Sequence, residues 1–78
     1  MELIKLLWDF RGPNAGPIAQ HHVAHLKEFA QTENLNHTRC DVEVISELHH
    51  IAFMVVEKAK MNELRERLKP HRGQIYAP

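Results

Sequence analysis

The chain has 78 residues, of which ten are Lys or Arg and ten are Asp or Glu, so its net charge is zero with histidine neutral. With 44% hydrophobic and 26% charged residues, the composition is that of a globular domain and argues against a disordered tail or a basic nucleic-acid-binding protein. Because no apolar run approaches the roughly 18 residues of a membrane span and the first seven residues lack signal-peptide features, we expect one soluble domain over residues 1–78, with no membrane partner.

The first predicted strand and helix are separated by a turn containing glycine and proline. Residues 2–10 are mostly apolar and end at Arg11-Gly12-Pro13, which predicts a strand followed by a turn. A helix is predicted from Pro17, because proline suits the first helical position, to about Asn34, which tolerates the left-handed conformation that ends helices. The apolar arc of this helix has His22 near its centre, so the pattern predicts an imidazole directed at the sheet.

Two further strands follow as a hairpin. Residues 38–45 alternate between apolar and polar, which is typical of a strand buried on one face, whereas residues 50–56 are almost continuously apolar and indicate a strand buried on both faces. The link between them is short, which predicts antiparallel pairing. The single cysteine, Cys40, lies on the apolar side of the first of these strands and cannot form an internal disulfide, which favours a cytoplasmic location.

The last two predicted elements complete an alternating pattern. A second helix is predicted over residues 59–69, ended by Pro70, and a short strand over residues 73–76. The order β-α-β-β-α-β predicts an α+β, ferredoxin-like domain with an antiparallel sheet of order 4-1-3-2 and both helices on one face. The first and third strands, which are apolar on both faces, are the two that this layout places in the centre of the sheet.

The sheet face without helices is predicted to be apolar at its centre. Leu3, Leu7 and alternate residues of the range 49–58 would lie there, and an exposed apolar patch marks an interaction site. On this layout the chain resembles the dimeric α/β-barrel group, which includes the antibiotic-biosynthesis monooxygenases and the muconolactone-isomerase-like proteins. The resemblance covers the whole chain and implies a homodimer that packs sheet to sheet. No family motif matches residue by residue, so no catalytic residue is carried over.

The predicted topology gathers most of the histidines at one end of the domain. That end receives the end of the first strand, the start of the first helix, the start of the third strand and the end of the second helix. Six of the seven histidines lie in those segments, whereas His37 lies at the opposite end. The candidate site residues at this histidine end are Asp9, Arg11, His21, His22, His25, His49, His50, His71 and Arg72.

A small anionic ligand is the preferred hypothesis for the histidine end. The free N–H groups at the start of the first helix favour anions, and Arg11 and Arg72 add positive charge suited to a carboxylate or a phosphate. His22 and His25 are the predicted central groups of the site. The alternative for His22 is a core histidine whose nitrogens bond a backbone carbonyl or a water molecule.

The sequence leaves other functions open at the same place. A divalent transition metal could be held by two histidines one turn apart on the first helix, together with a third histidine from another element. The possible pairs are His22 with His25 and His21 with His25. The third ligand would be His49, His50 or His71. A small acid–base enzyme that uses the same pocket is the second hypothesis after the anionic ligand, because Asp9 could orient one imidazole, and histidine titrates near neutral pH. A domain whose open sheet face is its whole function is the remaining alternative. A sheet that stacks nucleic-acid bases is not indicated, because its aromatic signature is missing.

Overall fold

The computed structural model describes residues 2–35 and 38–76. Four strands, two helices and one 3-10 turn follow one another in the predicted order. They are β1 (Leu3–Arg11), α1 (Ala15–Thr32), β2 (Arg39–Ser46), β3 (His49–Glu57), a 3-10 turn (Lys58–Lys60), α2 (Met61–Leu68) and β4 (Arg72–Tyr76). Neither helix in this part of the chain is long and apolar enough to cross a membrane.

The helix ends differ from prediction by one turn or less. After α1 the chain adopts the left-handed conformation at Asn34, with φ 52°, as the sequence indicated. The second helix begins at Met61 rather than at residue 59, because Lys58–Lys60 form the 3-10 turn. It ends at Leu68, and Lys69 is left-handed with φ 51°. Pro70 accounts for this end, because its ring disfavours the right-handed helical conformation of the residue before it.

The four strands form one antiparallel sheet. The observed order is β2-β3-β1-β4, and β1 pairs with both β3 and β4. The predicted order, 4-1-3-2, is counted from the opposite edge, at β4, so both orders place β1 and β3 in the centre. The α+β class with a four-stranded antiparallel sheet and two helices is confirmed.

The larger core lies between the sheet and the helices. Alternate residues of the central strands point to this side, since side chains alternate across a strand. The buried side chains here include Leu6 and Trp8 of β1, Met54 of β3, Leu26 of α1 and Leu64 of α2.

A second apolar cluster lies on the open sheet face, and it is not exposed as the sequence suggested. Its four residues, Leu7, Ile51, Phe53 and Val55, are each at most 6% exposed. The Lys5 ammonium lies 4.3 Å from the centre of the Phe53 ring and bonds Glu43 Oε1 at 2.9 Å across it. Long charged side chains can cover apolar surface with their methylene stems, so Lys5 covers Phe53 within one chain, and the partly buried Leu3 and Tyr76 pack against the cluster.

Candidate functional site

The histidine end is divided between the two sides of the sheet. His50 pairs with Phe10 on the helix side, and its ring lies against Gly16, where an added Cβ would come within 3.1 Å of it. His49 points to the open face, where it meets Asp9. The hairpin register therefore decides what the sequence left open, namely that His50 faces the helices. His37 lies outside the described residues.

Asp9 is the most heavily bonded side chain at this end. Its carboxylate accepts two hydrogen bonds from Arg72, with Nε to Oδ2 at 3.0 Å and Nη2 to Oδ1 at 3.1 Å. His49 Nε2 lies 2.8 Å from Oδ1. The Arg72 hydrogen bond is the main reason that the pKa of Asp9 falls to about 2, with His49 adding to it and burial opposing it. We call this group the Asp9 clamp, and it holds a carboxylate that is ionised at neutral pH at the end of β1.

The clamp fixes the tautomers of two histidines. Ionised Asp9 can only accept hydrogen bonds, so the Nε2 atom of His49 must carry a proton and donate it to Asp9 Oδ1. The backbone N–H of Asp9 donates to Nδ1 of His71 at 2.8 Å, so that nitrogen carries no proton. Asp9 therefore orders one imidazole on the open face through its carboxylate and a second imidazole through its backbone.

His22 lies where its helical position predicts, against the sheet. Its ring centre is 4.9 Å from that of Trp8 and 5.5 Å from that of Phe10. Its Nε2 atom is buried without a hydrogen-bond partner. Burial lowers the pKa of His22, and the positive charges that His25, His71 and His21 can carry lower it further. This imidazole is therefore neutral near pH 7 and supplies no charge to an anion.

His21 and His25 are exposed and meet each other on the solvent side of α1. Their Nε2 atoms are 3.0 Å apart. His25 thus pairs with His21 and not with His22, whose ring contacts Trp8 and Phe10. Within residues 2–35 and 38–76, no three His, Cys, Asp or Glu side chains converge on a point where they could hold a metal ion.

Three features noted in the sequence remain, namely Arg11, the start of α1 and the Cys40 thiol. Arg11 is exposed at the end of β1, opposite His49 in the strand register. The residue before α1, Asn14, makes no side-chain cap. Cys40 is a buried free thiol whose pKa rises to about 11 because burial disfavours the thiolate. That thiol is therefore protonated and unreactive at neutral pH.

A groove that the sequence did not reveal lies between α2 and the edge strand β4. Its volume is about 370 Å³. Its lining is Ile4, Leu6, Met61, Arg65, Pro70, His71, Arg72, Gly73, Gln74 and Ile75. Two of these residues, His71 and Arg72, are ligand-binding residues predicted from the sequence. Arg65 is not, because it stands among charged residues of both signs, which is typical of a solvent-exposed helix face. A glycine in an edge strand that directly follows a helix ended by proline is the feature of the sequence that could have indicated this groove.

Comparison with known proteins gives no relative for this chain. No family model matches it, and neither a curated protein nor a solved structure matches it. The resemblance to the dimeric α/β-barrel group therefore stays a prediction.

Proposed function

We propose that this chain is a cytoplasmic, ferredoxin-like domain that binds a small ligand with an acidic group in the α2–β4 groove, which meets the histidine end at His71 and Arg72. The observation that supports the proposal is the composition of the α2–β4 groove. Its floor is apolar, and every charged or titratable residue in its lining, Arg65, His71 and Arg72, is basic. Ligand pockets typically have 300–1,000 Å³ and combine an apolar lining with a few polar groups.

The three basic residues differ in how free they are to bind. Arg72 is held by Asp9, and Nδ1 of His71 accepts the Asp9 backbone N–H. Within the part of the chain that the structure describes, the side-chain hydrogen bond of Arg65 is a long one of 3.5 Å, to Asn62. We therefore propose that Arg65 binds the acidic group of the ligand and that His71 Nε2 donates a second hydrogen bond to it. The apolar part of the ligand would lie on the apolar residues near Leu6. In this proposal His22 and His25 are not the central groups, because neither lines the groove.

Arg65→Ala is expected to weaken binding of a small apolar carboxylate by about tenfold or more, because a hydrogen bond to a charged group contributes about 1.5–3 kcal/mol. The probe is hexanoate, followed by NMR shifts of Gly73 and Ile75. Hexanamide tests the need for charge, and inorganic phosphate tests an anion without an apolar body.

Arg67→Ala is the matched control for this experiment. Arg67 lies on the same helix but bonds Glu33 and covers the Phe29 ring, away from the groove. Its variant should bind hexanoate like the unmodified chain. Equal affinity of Arg65→Ala and Arg67→Ala, or equal binding of hexanoate and hexanamide, would contradict the proposal.

Acid–base catalysis is the second candidate, and the Asp9–His49 contact favours it. A carboxylate that fixes the proton on His49 Nε2 leaves Nδ1 as the basic nitrogen of that ring. His49 is about 15% exposed, so a substrate would have to approach over the open face. Turnover of a substrate, lost in Asp9→Asn but kept in Arg65→Ala, would identify an enzyme rather than a binding domain.

The proposal includes a homodimer through the open sheet face. The apolar residues of this face are already buried within one chain, namely Leu7, Ile51, Phe53 and Val55. The interface would therefore consist of the charged side chains around them, each paired with a side chain of opposite charge on the second copy. Burial of about 1,200 Å² in total is expected of a stable pair. Sedimentation at tens of micromolar should show a dimer. A monomer, or a dimer through the exposed hairpin residues Val44, Ile45 and Leu48, would overturn this part.

A further inference from the structure

We propose that His21 and His25 form a two-histidine chelate for a divalent transition metal that prefers nitrogen ligands, with Cu²⁺ as its best match. The two residues lie one helical turn apart on α1, which brings side chains at positions i and i+4 onto one face. Their Nε2 atoms are 3.0 Å apart. This pair is independent of the ligand groove and of the Asp9 clamp.

Imidazole ligands suit Cu²⁺, which binds most tightly among the divalent first-row metals, and the present nitrogen–nitrogen distance is compatible with it. With metal–nitrogen bonds of about 2.0–2.1 Å, two nitrogens 3.0 Å apart subtend an angle of about 95° at the metal. This is close to the 90° between neighbouring ligands in square-planar or tetragonal sites, which Cu²⁺ and Ni²⁺ favour, and smaller than the roughly 109° of tetrahedral zinc. In the metal-free chain this contact is a hydrogen bond between the two rings, and a metal ion would replace the shared proton once both exposed imidazoles rotate to direct their lone pairs at it.

A carboxylate stands behind one of the two ligands. Glu28 Oε2 lies 3.8 Å from Nδ1 of His25, the nitrogen that does not face His21. Metal-binding histidines usually donate their other ring N–H to a carboxylate, which fixes the tautomer and makes the ligating nitrogen more basic. At 3.8 Å the Glu28 carboxylate does not bond this ring, but it lies about one turn along the same helix, close enough to become the outer partner after a small side-chain rotation.

The site is open to water on its other sides. His22, the neighbour of His21 in sequence, is turned toward Trp8 and Phe10 and takes no part. Since no third protein ligand converges among the described residues, water or a group from another molecule would complete the coordination. Metal binding here would leave the core unchanged, because both rings and Glu28 are already exposed.

Titration with Cu²⁺, followed by NMR of the histidine rings and by electron paramagnetic resonance, tests the site. Substoichiometric Cu²⁺ should broaden the rings of His21 and His25 before any other histidine, and the spectrum should show two nitrogen ligands. His25→Ala should weaken the first binding event at least tenfold. Glu28→Gln should weaken it by a smaller factor, because it removes only the outer partner.

The control keeps the number of histidines constant. In the double variant His25→Ala/Lys27→His the chain still has seven histidines, but positions 21 and 27 do not share a helix face. It should bind Cu²⁺ as weakly as His25→Ala. Unmodified affinity in this double variant, or first broadening at His49, His50 or His71, would show that Cu²⁺ binds elsewhere and would overturn the proposal.

Discussion

Replacing Phe53 by alanine is expected to lower the free energy of unfolding by about 3 kcal/mol, as for large-to-small changes in a protein core. Phe53 is on the sheet face without helices, where an aromatic side chain would ordinarily be exposed and its loss would cost little. Here it is 6% exposed beneath Lys5 and is flanked by Leu7 and Val55. The variant therefore measures whether the open face has a true second core. Urea denaturation gives the change directly.

Ile75→Ala is the control for Phe53→Ala. Ile75 is 76% exposed on the edge strand β4, so its truncation should change the free energy of unfolding by less than about 0.5 kcal/mol. The Arg39 guanidinium carbon also lies over Phe53, 5.7 Å from the ring centre. If Phe53→Ala were as mild as Ile75→Ala, the side chains of Lys5 and Arg39 would not exclude water from this ring. The open face would then be an exposed apolar patch, and the case for a dimer through it would become stronger.

Asp9→Asn is expected to destabilise the fold by about 1.5 kcal/mol at pH 7, with a fall in Tm of about 5–10 °C. The pKa of Asp9 is about 2 in the folded chain, below the ordinary value of about 3.9. Its stabilising contribution is therefore complete above pH ~4 and is lost as the pH falls toward 2. The effect on stability is smaller than the pKa shift alone implies, because the Arg72 side chain is half exposed and solvent screens the pair.

The pH dependence separates this electrostatic effect from simple loss of packing. The difference in stability between the unmodified chain and Asp9→Asn should shrink as the pH is lowered from 5 to 2, whereas a packing defect would persist at every pH. Glu66→Gln, a change at an exposed carboxylate paired with Lys69, should be nearly neutral throughout. A stability difference for Asp9→Asn that does not depend on pH would refute the role given to the clamp.

The clamp also connects stability with the proposed ligand site. Arg72 is the first residue of β4, the strand that forms one wall of the groove. His71, the residue before Arg72, accepts a hydrogen bond from the backbone N–H of Asp9. Loss of the Asp9 carboxylate should therefore loosen the start of β4. Hexanoate binding by Asp9→Asn would weaken through this wall, even though Asp9 does not line the groove.

The sequence by itself determined the element order and where the two helices stop, whereas both helix starts were displaced, α1 to Ala15 and α2 to Met61. Alternation in residues 38–45, continuous apolarity in residues 50–56 and the helix-ending effects of Asn34 and Pro70 are local signals, and each corresponds to an observed strand or helix end. The position of His22 on the inner face of α1 also followed from the 3.6-residue helical period alone.

Only the tertiary structure decided which polar groups meet. The register between β1 and β3 places Asp9 beside His49 and turns His50 to the helices, and a shift by one residue would exchange those faces. The covering of Phe53 by Lys5, and the α2–β4 groove beside Arg65, depend on contacts between segments far apart in sequence. Such contacts leave no periodic trace in a single sequence, because they are set by how whole elements pack and not by the preference of any residue for a helix or a strand.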